Sequence, residues 1–279
     1  MEGFAHVKQN ILLKLINAIF FLAFLATDIF CIANGVQGDR NQSALAAPSM
    51  TFGVWVLILI LFIGTLVYQW TDRGKKVIID GLGWRLPIIF LLNTTYLHFW
   101  IHSNWFAVFM FAIFANVAVA NAYYILKTED RPENIYDELL VHTPISILHA
   151  WSTFLVIDSA FTAFGENVTD SALHDVFDPN SWNKFYIVIS LLSLELVSAG
   201  YALATSEGDL VGNVTITWVL YGLACRGWYI PFVERATWWA VRASVVFIAK
   251  SAHGYYLNKY PFYKRQLIGG EILRSSEEI

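Results

Sequence analysis

The sequence predicts an all-α membrane protein, a polytopic bundle of about eight transmembrane helices. Three observations lead to this prediction: hydrophobic residues make up 57% of the 279-residue chain, charged residues make up only 14%, and long apolar stretches recur along its whole length. An average soluble domain carries roughly 25% charged residues, and a soluble globule of this size has too small a core for so many apolar side chains. The same composition excludes a disordered chain.

Eight apolar stretches approach the length of about 20 residues that a helix needs to cross the hydrocarbon core of a membrane. The third and seventh stretches are short, so a count of seven spans stays open. Only His102-Ser103-Asn104 separates the third stretch from the fourth, which predicts a tight helical hairpin. The first stretch is longer than the apolar part of a signal peptide and is therefore predicted to be a retained span. The stretches are Ile11–Ala33, Thr51–Trp70, Leu86–Ile101, Trp105–Leu126, Thr143–Gly165, Phe185–Ala204, Leu210–Cys225 and Ala236–Leu257.

The distribution of Lys and Arg between the loops predicts the orientation. With a cytosolic N-terminus, twelve of the 18 basic residues fall on the cytosolic side, four on the far side, and Arg242 and Lys250 within spans. Because cytosolic loops of membrane proteins are enriched in Lys and Arg, this bias predicts a multi-pass protein with both termini in the cytosol. The sequons at Asn41 and Asn167 fall in far-side loops, which agrees with a secretory-pathway membrane.

Several functional classes find no support in the sequence. The net charge of -4 and the absence of a basic run argue against nucleic-acid binding. Cys31 and Cys225 form neither a metal-binding spacing nor a disulfide framework. His98 and His102 have the i, i+4 spacing of a metal or haem pair, but no third ligand accompanies them and an interfacial location is favoured. No catalytic motif is present, so the sequence favours a protein that is not an enzyme and has no resident cofactor.

Four segments, in a fixed order, resemble a known family. They are Pro48–Ile58, Leu91–Trp100, Thr143–Phe154 and Thr217–Ala224. Together they resemble the translocator protein, or tryptophan-rich sensory protein, superfamily (TspO/MBR). The likeness is greater to its longer bacterial and fungal relatives, which add three helices to the five-helix core, and it runs from Ile11 to Ala224.

The resemblance implies a domain organisation and a ligand class. It implies a five-helix core at 11–165, an acidic loop at 166–181 and a three-helix extension at 182–257, with cytosolic tails at 1–10 and 258–279. The expected ligands are tetrapyrroles, such as a porphyrin or haem, and sterols. The chain departs from the family where a Pro-aromatic pair and an Asn are replaced by Pro144-Ile145 and Asp158. The sterol-recognition stretch of animal members is also absent, since Phe164-Gly165-Glu166 stands there.

The predicted ligand site combines this resemblance with helical spacing. Trp151 and Asp158 are seven residues apart and therefore share one face of the fifth span, with His149 on an adjacent strip. Asn93 and Trp100 have the same spacing in the third span. The alternative for all these residues is interhelical packing and hydrogen bonding. The predicted ligand-binding residues are Trp55, Asn93, Trp100, His149, Trp151 and Asp158.

Charged residues inside spans form a second group of candidates, because each costs about 2.5–3.5 kcal/mol at the middle of a membrane helix. They are Asp28, Asp158, Glu195, Arg242 and Lys250. One interpretation is that the acids and bases pair and hold the extension against the core. The other is that Asp158 and Glu195 line a substrate or proton pathway.

Three functions therefore remain open from the sequence. The first is binding, with or without transport, of a hydrophobic small molecule such as a tetrapyrrole or sterol. The second is ion- or proton-coupled transport, and the third is a non-catalytic subunit of a membrane assembly. The expected partners are the lipid bilayer and the small molecule, and the oligomeric state is open between a monomer and a homo-oligomer.

Overall fold

The computed structural model describes residues 2–34, 45, 48–165, 180–204, 207–226 and 231–259. Regular structure in these residues is helical, and they contain eight long helices in the order of the eight predicted stretches. Most bounds agree with the prediction to within a few residues. Residues 2–10, predicted to be a tail, instead form the start of α1. The helices are α1 (Glu2–Ala33), α2 (Gly53–Tyr68), α3 (Arg85–Ile101), α4 (Trp105–Thr128), α5 (Thr143–Phe164), α6 (Ser181–Leu203), α7 (Leu210–Arg226) and α8 (Pro231–Lys259).

Not all eight helices are equally suited to cross a membrane. Five segments are long and apolar enough: Asn10–Ala33, Ser49–Tyr68, Trp105–Thr128, Ile135–Phe164 and Ser181–Leu203. A sixth crossing results if α3 and the segment before it count as one bent span. Among the described helices, α7 is apolar but short, and α8 falls outside the set because Arg242 and Lys250 interrupt its apolar residues. The prediction of an all-α membrane bundle is confirmed. By length and composition, five or six of the eight predicted spans are able to cross a membrane.

Helix α1 shows why this sequence needs a membrane. Its buried residues recur every three or four positions and form one stripe toward the bundle. The opposite face is also apolar, with Ile19, Leu22 and Phe30 each more than half exposed. When such a helix lies in a membrane, lipid covers its outer apolar face and removes that face from water. The buried stripe contains Leu13, Asn17, Phe21, Phe24, Asp28 and Cys31, and Lys14 beside Leu13 is buried as well.

The chain enters α3 through a bent segment, Asp72–Leu82. This segment starts as a helical turn capped by Thr71, whose hydroxyl accepts a hydrogen bond from the Gly74 amide at 3.0 Å. It continues as a π-helix from Lys75 and lies at 69° to α3. The bend occurs at Gly83, where φ is +55° and ψ is −129°, a conformation that side chains with a Cβ rarely adopt.

The predicted hairpin between α3 and α4 is confirmed. The turn contains only His102, Ser103 and Asn104, and Ser103 takes a left-handed conformation with φ +54°. Asn104 caps α4, since its side-chain oxygen accepts a hydrogen bond from the Ala107 amide at 3.3 Å.

The packing order places α5 at the junction of the core and the extension. In the core, α1 packs on α3, α3 on α4, and α4 on α5, while α2 contacts α5 and α1. In the extension, α7 packs on α5, and α8 lies along both α7 and α6. Gly222 of α7 lies directly against the segment before α2, where an added Cβ would overlap the Thr51 hydroxyl. Trp218 of α7 also donates its indole hydrogen to the Thr51 carbonyl at 3.3 Å.

Two contacts agree with alternating helix directions. Asn17, in the first half of the candidate span Asn10–Ala33 of α1, donates to Gln69, the residue after α2, at 3.1 Å. Lys127 at the end of α4 forms an ion pair with Asp209 before α7, at 2.9 Å. The two residues of each contact lie on the same side of the bundle, as an up-and-down order of helices requires. Residues 166–179 of the predicted acidic loop, the sequons at Asn41 and Asn167, and residues 260–279 of the predicted tail lie outside the described residues. Ser181 of the predicted loop begins α6, and residues 258 and 259 of the predicted tail end α8.

Candidate functional site

Aromatic rings fill the buried interface of α1, α2 and α5. We call the five residues Phe24, Phe52, Trp55, Trp151 and Phe154 the aromatic cluster. Trp151 is fully buried, and its ring lies 6.0 Å from Trp55, 5.4 Å from Phe52 and 5.2 Å from Phe154. Phe24 meets Trp55 edge to face at 5.5 Å. Pairs of this kind contribute about 0.5–1.5 kcal/mol each beyond the burial of their area, so the cluster ties the three helices together.

The side chains of Trp151 and Asp28 have buried polar atoms without a hydrogen-bond partner in the described protein. The indole nitrogen Nε1 of Trp151 is buried without an acceptor. Asp28 follows Phe24 by one helical turn, is fully buried, and has no donor to either carboxyl oxygen. A buried polar group left without a hydrogen bond costs about 1–3 kcal/mol, and more if it is charged. Such groups in a folded protein call for an explanation, and a bound molecule is one.

Two of the predicted residues lie elsewhere in the core. Asn93 and Trp100 share the buried face of α3, as their spacing predicted, and both are at most 3% exposed. The Asn93 side chain donates to the Ile89 carbonyl of its own helix at 2.8 Å. Trp100 packs at the hairpin end of α3, against Tyr96 at 5.5 Å and Trp105 at 6.1 Å. The structure therefore brings Trp55 and Trp151 into contact but gives Asn93 and Trp100 other ring and hydrogen-bond partners.

His149 belongs to a second, polar centre that the sequence did not reveal. We call it the Asp209 cluster; its members are Tyr123 and Lys127 of α4, Ser146 and His149 of α5, Tyr201 of α6, and Asp209 before α7. The Asp209 carboxylate pairs with Lys127 at 2.9 Å and accepts hydrogen bonds from Ser146 at 2.7 Å and Tyr123 at 3.0 Å. His149 shares a hydrogen bond of 2.5 Å with the Tyr201 hydroxyl and stacks on Tyr123 at 4.7 Å.

The Asp209 cluster joins α4 and α5 of the core to α6 and the start of α7 in the extension. Asp209 also caps α7, because its second oxygen accepts from the Gly212 amide at 3.0 Å. Burial alone would raise the pKa of the Asp209 carboxyl, but Lys127, the Gly212 amide and Ser146 together lower it below its ordinary value. The residue is thus held as a carboxylate with each neighbouring donor satisfied, which is the pattern of a structural ion pair.

A similar arrangement fixes the segments before α3 and α5. Asp137 is fully buried and accepts from the Tyr68 hydroxyl at 2.8 Å and from Arg73 at 2.9 Å. Arg73 also pairs with Glu133 at 2.8 Å. Asn134 caps this turn by accepting from the Tyr136 and Asp137 amides at 2.8 Å.

The five charged residues predicted inside spans separate into buried and exposed groups. Asp28 and Asp158 are buried in the core, and the Glu195 carboxyl oxygens are buried within α6 and lack partners. Arg242 and Lys250 lie on the exposed face of α8. The ion pairs Arg73–Glu133, Arg73–Asp137 and Lys127–Asp209 do not include Asp28, Glu195, Arg242 or Lys250. Among the described residues, Lys127–Asp209 is an ion pair that links extension and core, and the sequence placed both of its members in loops.

The remaining histidine candidates, His98 and His102, lie at the hairpin end of α3. His98 and His102 are both exposed, with ring centroids 4.6 Å apart. No group of three or more potential His, Cys, Asp or Glu ligands occurs among the described residues. The thiol of Cys31 is buried, and that of Cys225 is partly buried.

A weak signal for the missed centre was present in the sequence. Asp209 stands three residues before Gly212 at the start of an apolar stretch, which is the position of a helix N-cap. Lys127 lies in the last turn of α4, where a cation is favoured by the helix dipole. Neither position indicates that the two side chains meet, because 82 residues separate them.

Comparison with known proteins agrees with this architecture. The family model for TSPO-like proteins matches residues 11–251, which include α2 to α7 and parts of α1 and α8. Neither a curated protein nor a solved structure matches the chain. Since the family match covers most of the sequence, core and extension alike, the chain belongs to the TSPO-like protein family.

Proposed function

We propose that this integral membrane protein binds a flat, hydrophobic small molecule at the aromatic cluster, between α1, α2 and α5. The observation that carries the proposal is the indole N–H of Trp151, which is buried among aromatic rings without an acceptor. A planar ligand with a carbonyl or carboxylate oxygen supplies that acceptor. Its flat apolar body also packs against the aromatic rings in place of the contacts that the rings make with one another. Tetrapyrroles and sterols, the ligands implied by the family resemblance, both combine a large apolar body with few polar groups.

The site requires an induced fit. Trp55 and Trp151 are at most 2% exposed and are already in contact, so a ligand must separate rings that now pack on one another. Helix α2 is the element that can yield, because it packs less extensively on α1 and α5 than α3 packs on α1 or α4 on α5. Between α2 and α3 the contact is made by large rings, with Phe62 and Phe90 at 5.0 Å.

Replacing Trp151 by phenylalanine tests the proposal, because Trp151→Phe keeps an aromatic ring and removes the N–H donor. We expect the affinity for protoporphyrin IX to fall by about 10-fold, the equivalent of one hydrogen bond of about 1.4 kcal/mol. The measurement is calorimetric titration of the purified protein, with tryptophan quenching as a second readout. Trp182→Phe is the matched control, since Trp182 is 70% exposed at the start of α6. Equal affinities of Trp151→Phe and the wild type would rule out this hydrogen bond.

Proton-coupled transport is a second candidate function, favoured by the buried and unpartnered carboxyl of Asp28. An unpaired carboxylate is costly in an apolar interior, and intramembrane acids in transporters often carry protons. Asp158 is buried in α5 and belongs to the same core. The transport hypothesis assigns no role to Arg242 and Lys250, because both are exposed on α8.

A flux measurement distinguishes binding from proton-coupled transport. In proteoliposomes with a pH gradient, the transport hypothesis expects uptake of a bound porphyrin to depend on the gradient and to fall at least 10-fold in Asp28→Asn. Glu195→Gln serves as the comparison, because Glu195 lies in the extension. Uptake that is absent, or that Asp28→Asn leaves unchanged, would remove the transport hypothesis and leave binding alone.

A further inference from the structure

The outward face of α8 carries cations within an apolar surface. We call this surface the basic face; its residues are Arg235, Trp239, Arg242, Val246, Lys250 and His253, which follow one another at intervals of three or four and are all exposed. Trp239 and Val246 are 69% and 66% exposed, so the cations alternate with large apolar side chains. The guanidinium of Arg242 lies 5.2 Å from the ring of Trp239.

The opposite face of α8 fixes this orientation. It consists of small residues that pack on α7, including Ala240, Ser244 and Ser251. Thr217 of α7 donates to the Ser244 hydroxyl at 3.0 Å, and Asn213 of α7 donates to the Ser251 hydroxyl at 2.6 Å. Rotating the basic face inward would break these hydrogen bonds. It would also place long side chains in the interface between α7 and α8, where small residues now pack.

The position of the two cations along α8 places them at membrane depth. Helix α8 has 29 residues and lies along α6, which is long and apolar enough to span a membrane. At a rise of about 1.5 Å per residue it is about 43 Å long, close to the total thickness of a bilayer. Arg242 is 11 residues from Pro231, and Lys250 is 9 residues from Lys259. With α8 crossing the bilayer alongside α6, these offsets of about 16 and about 13 Å put both side chains inside the hydrocarbon layer, where an uncovered cation is costly.

We propose that the basic face is a docking surface for a transmembrane helix of another protein, and that this helix carries two carboxylates about two turns apart. Charge complementarity favours carboxylates, and the eight-residue separation of Arg242 and Lys250 sets their spacing at about 12 Å. Lipid headgroups do not fit, because they lie at the ends of α8. A second copy of this chain does not fit either, since Asp28 and Asp158 are buried and the Glu195 oxygens are enclosed. This surface is separate from the aromatic cluster and does not depend on the proposed ligand.

A synthetic peptide provides a direct test in neutral phosphatidylcholine vesicles. The probe is a fluorescent Leu/Ala transmembrane peptide with two Glu eight residues apart, and its control has Gln at both positions. We expect energy transfer from the full-length labelled protein to the Glu peptide, at an affinity at least 10-fold higher than to the Gln peptide. The variant Arg242→Leu, Lys250→Leu should lose this preference. Arg235→Leu, on the same face but at the end of the helix, should retain it.

Photocrosslinking from Val246 in the membranes of the producing cell tests the same proposal without a designed partner. The supporting result is an adduct whose crosslinked segment is a transmembrane helix with Asp or Glu, absent when Arg242 and Lys250 are leucine. A crosslinker at Leu192, exposed on α6, is the control for nonspecific neighbours. Adducts with lipid only, with a second copy, or with residues 260–279 of the same chain would overturn the proposal. Equal binding of the Glu and Gln peptides would overturn it as well.

Discussion

Replacing Asp209 by alanine is expected to lower the free energy of unfolding by about 3–5 kcal/mol, because it leaves Lys127 beside a buried site without its counter-ion. The substitution also removes the acceptor for Ser146 and Tyr123 and the cap of α7. These partners belong to α4, α5 and α7. The loss therefore acts on the contact between the extension and the core rather than on one helix.

The buried thiol of Cys31 gives a convenient measurement of this effect. Cys31 is fully buried, so a maleimide dye reacts with it only when the bundle opens; Cys225→Ala removes the partly buried second thiol. We expect the midpoint of thermal opening to fall by several degrees in Asp209→Ala and by less in Asp209→Asn, which keeps an oxygen for the α7 cap. Glu207→Ala, in the same loop, is the control and should change stability by less than about 0.5 kcal/mol. A stability of Asp209→Ala equal to that of the control would show that the cluster does not hold the extension.

The pH dependence of this difference follows from the lowered pKa of Asp209. In the unfolded chain the carboxyl has its ordinary pKa near 4, and in the folded protein the pKa is lower. The contribution of the cluster is therefore fully present above the ordinary value and is lost only as the pH falls through the lower, folded one. The gap between wild type and Asp209→Ala should stay constant from neutral pH down to about pH 5.

The helical architecture could be predicted because apolar length is a local property of the sequence. The positions of α3 to α5 and the hairpin at Ser103 follow from runs of apolar residues and the three polar residues between them. The bent segment before α3 was not predicted. Its π-helical geometry depends on packing between helices, and the only local signal is Gly83.

The sites were harder to predict because they depend on which helix faces meet. Spacing correctly placed Trp151 and Asp158 on one buried face, and Asn93 and Trp100 on another. It could not reveal the contact between Trp55 and Trp151, which joins residues 96 positions apart. The orientation of α8 did have a signal: small residues such as Ala240 and Ser244 recur on one side, which is typical of a packing face in a membrane. That signal places Arg242 and Lys250 on the outside, where the structure has them.

Replacing Trp151 by alanine is expected to cost about 3–5 kcal/mol of unfolding free energy, the range observed for removing a fully buried large aromatic side chain. Trp151 contacts three other rings, from α2, the segment before it, and its own helix, so its loss leaves a space lined by Phe52, Trp55 and Phe154. The measurement is again the reactivity of Cys31 on heating. Trp182→Ala is the matched control and should be close to neutral, because that side chain is 70% exposed.

Adding indole to Trp151→Ala separates a packing role from a binding role for this core. An apolar cavity lined by rings stays dry and accepts a small aromatic molecule, so indole should raise the thermal midpoint of the variant and leave the wild type unchanged. If Trp151 only packs, indole restores stability while Trp151→Phe binds protoporphyrin IX as the wild type does. If its N–H group also meets a ligand, Trp151→Phe is stable but binds about 10-fold more weakly. The pair of variants thus assigns the buried, unpartnered indole nitrogen to a function or to packing alone.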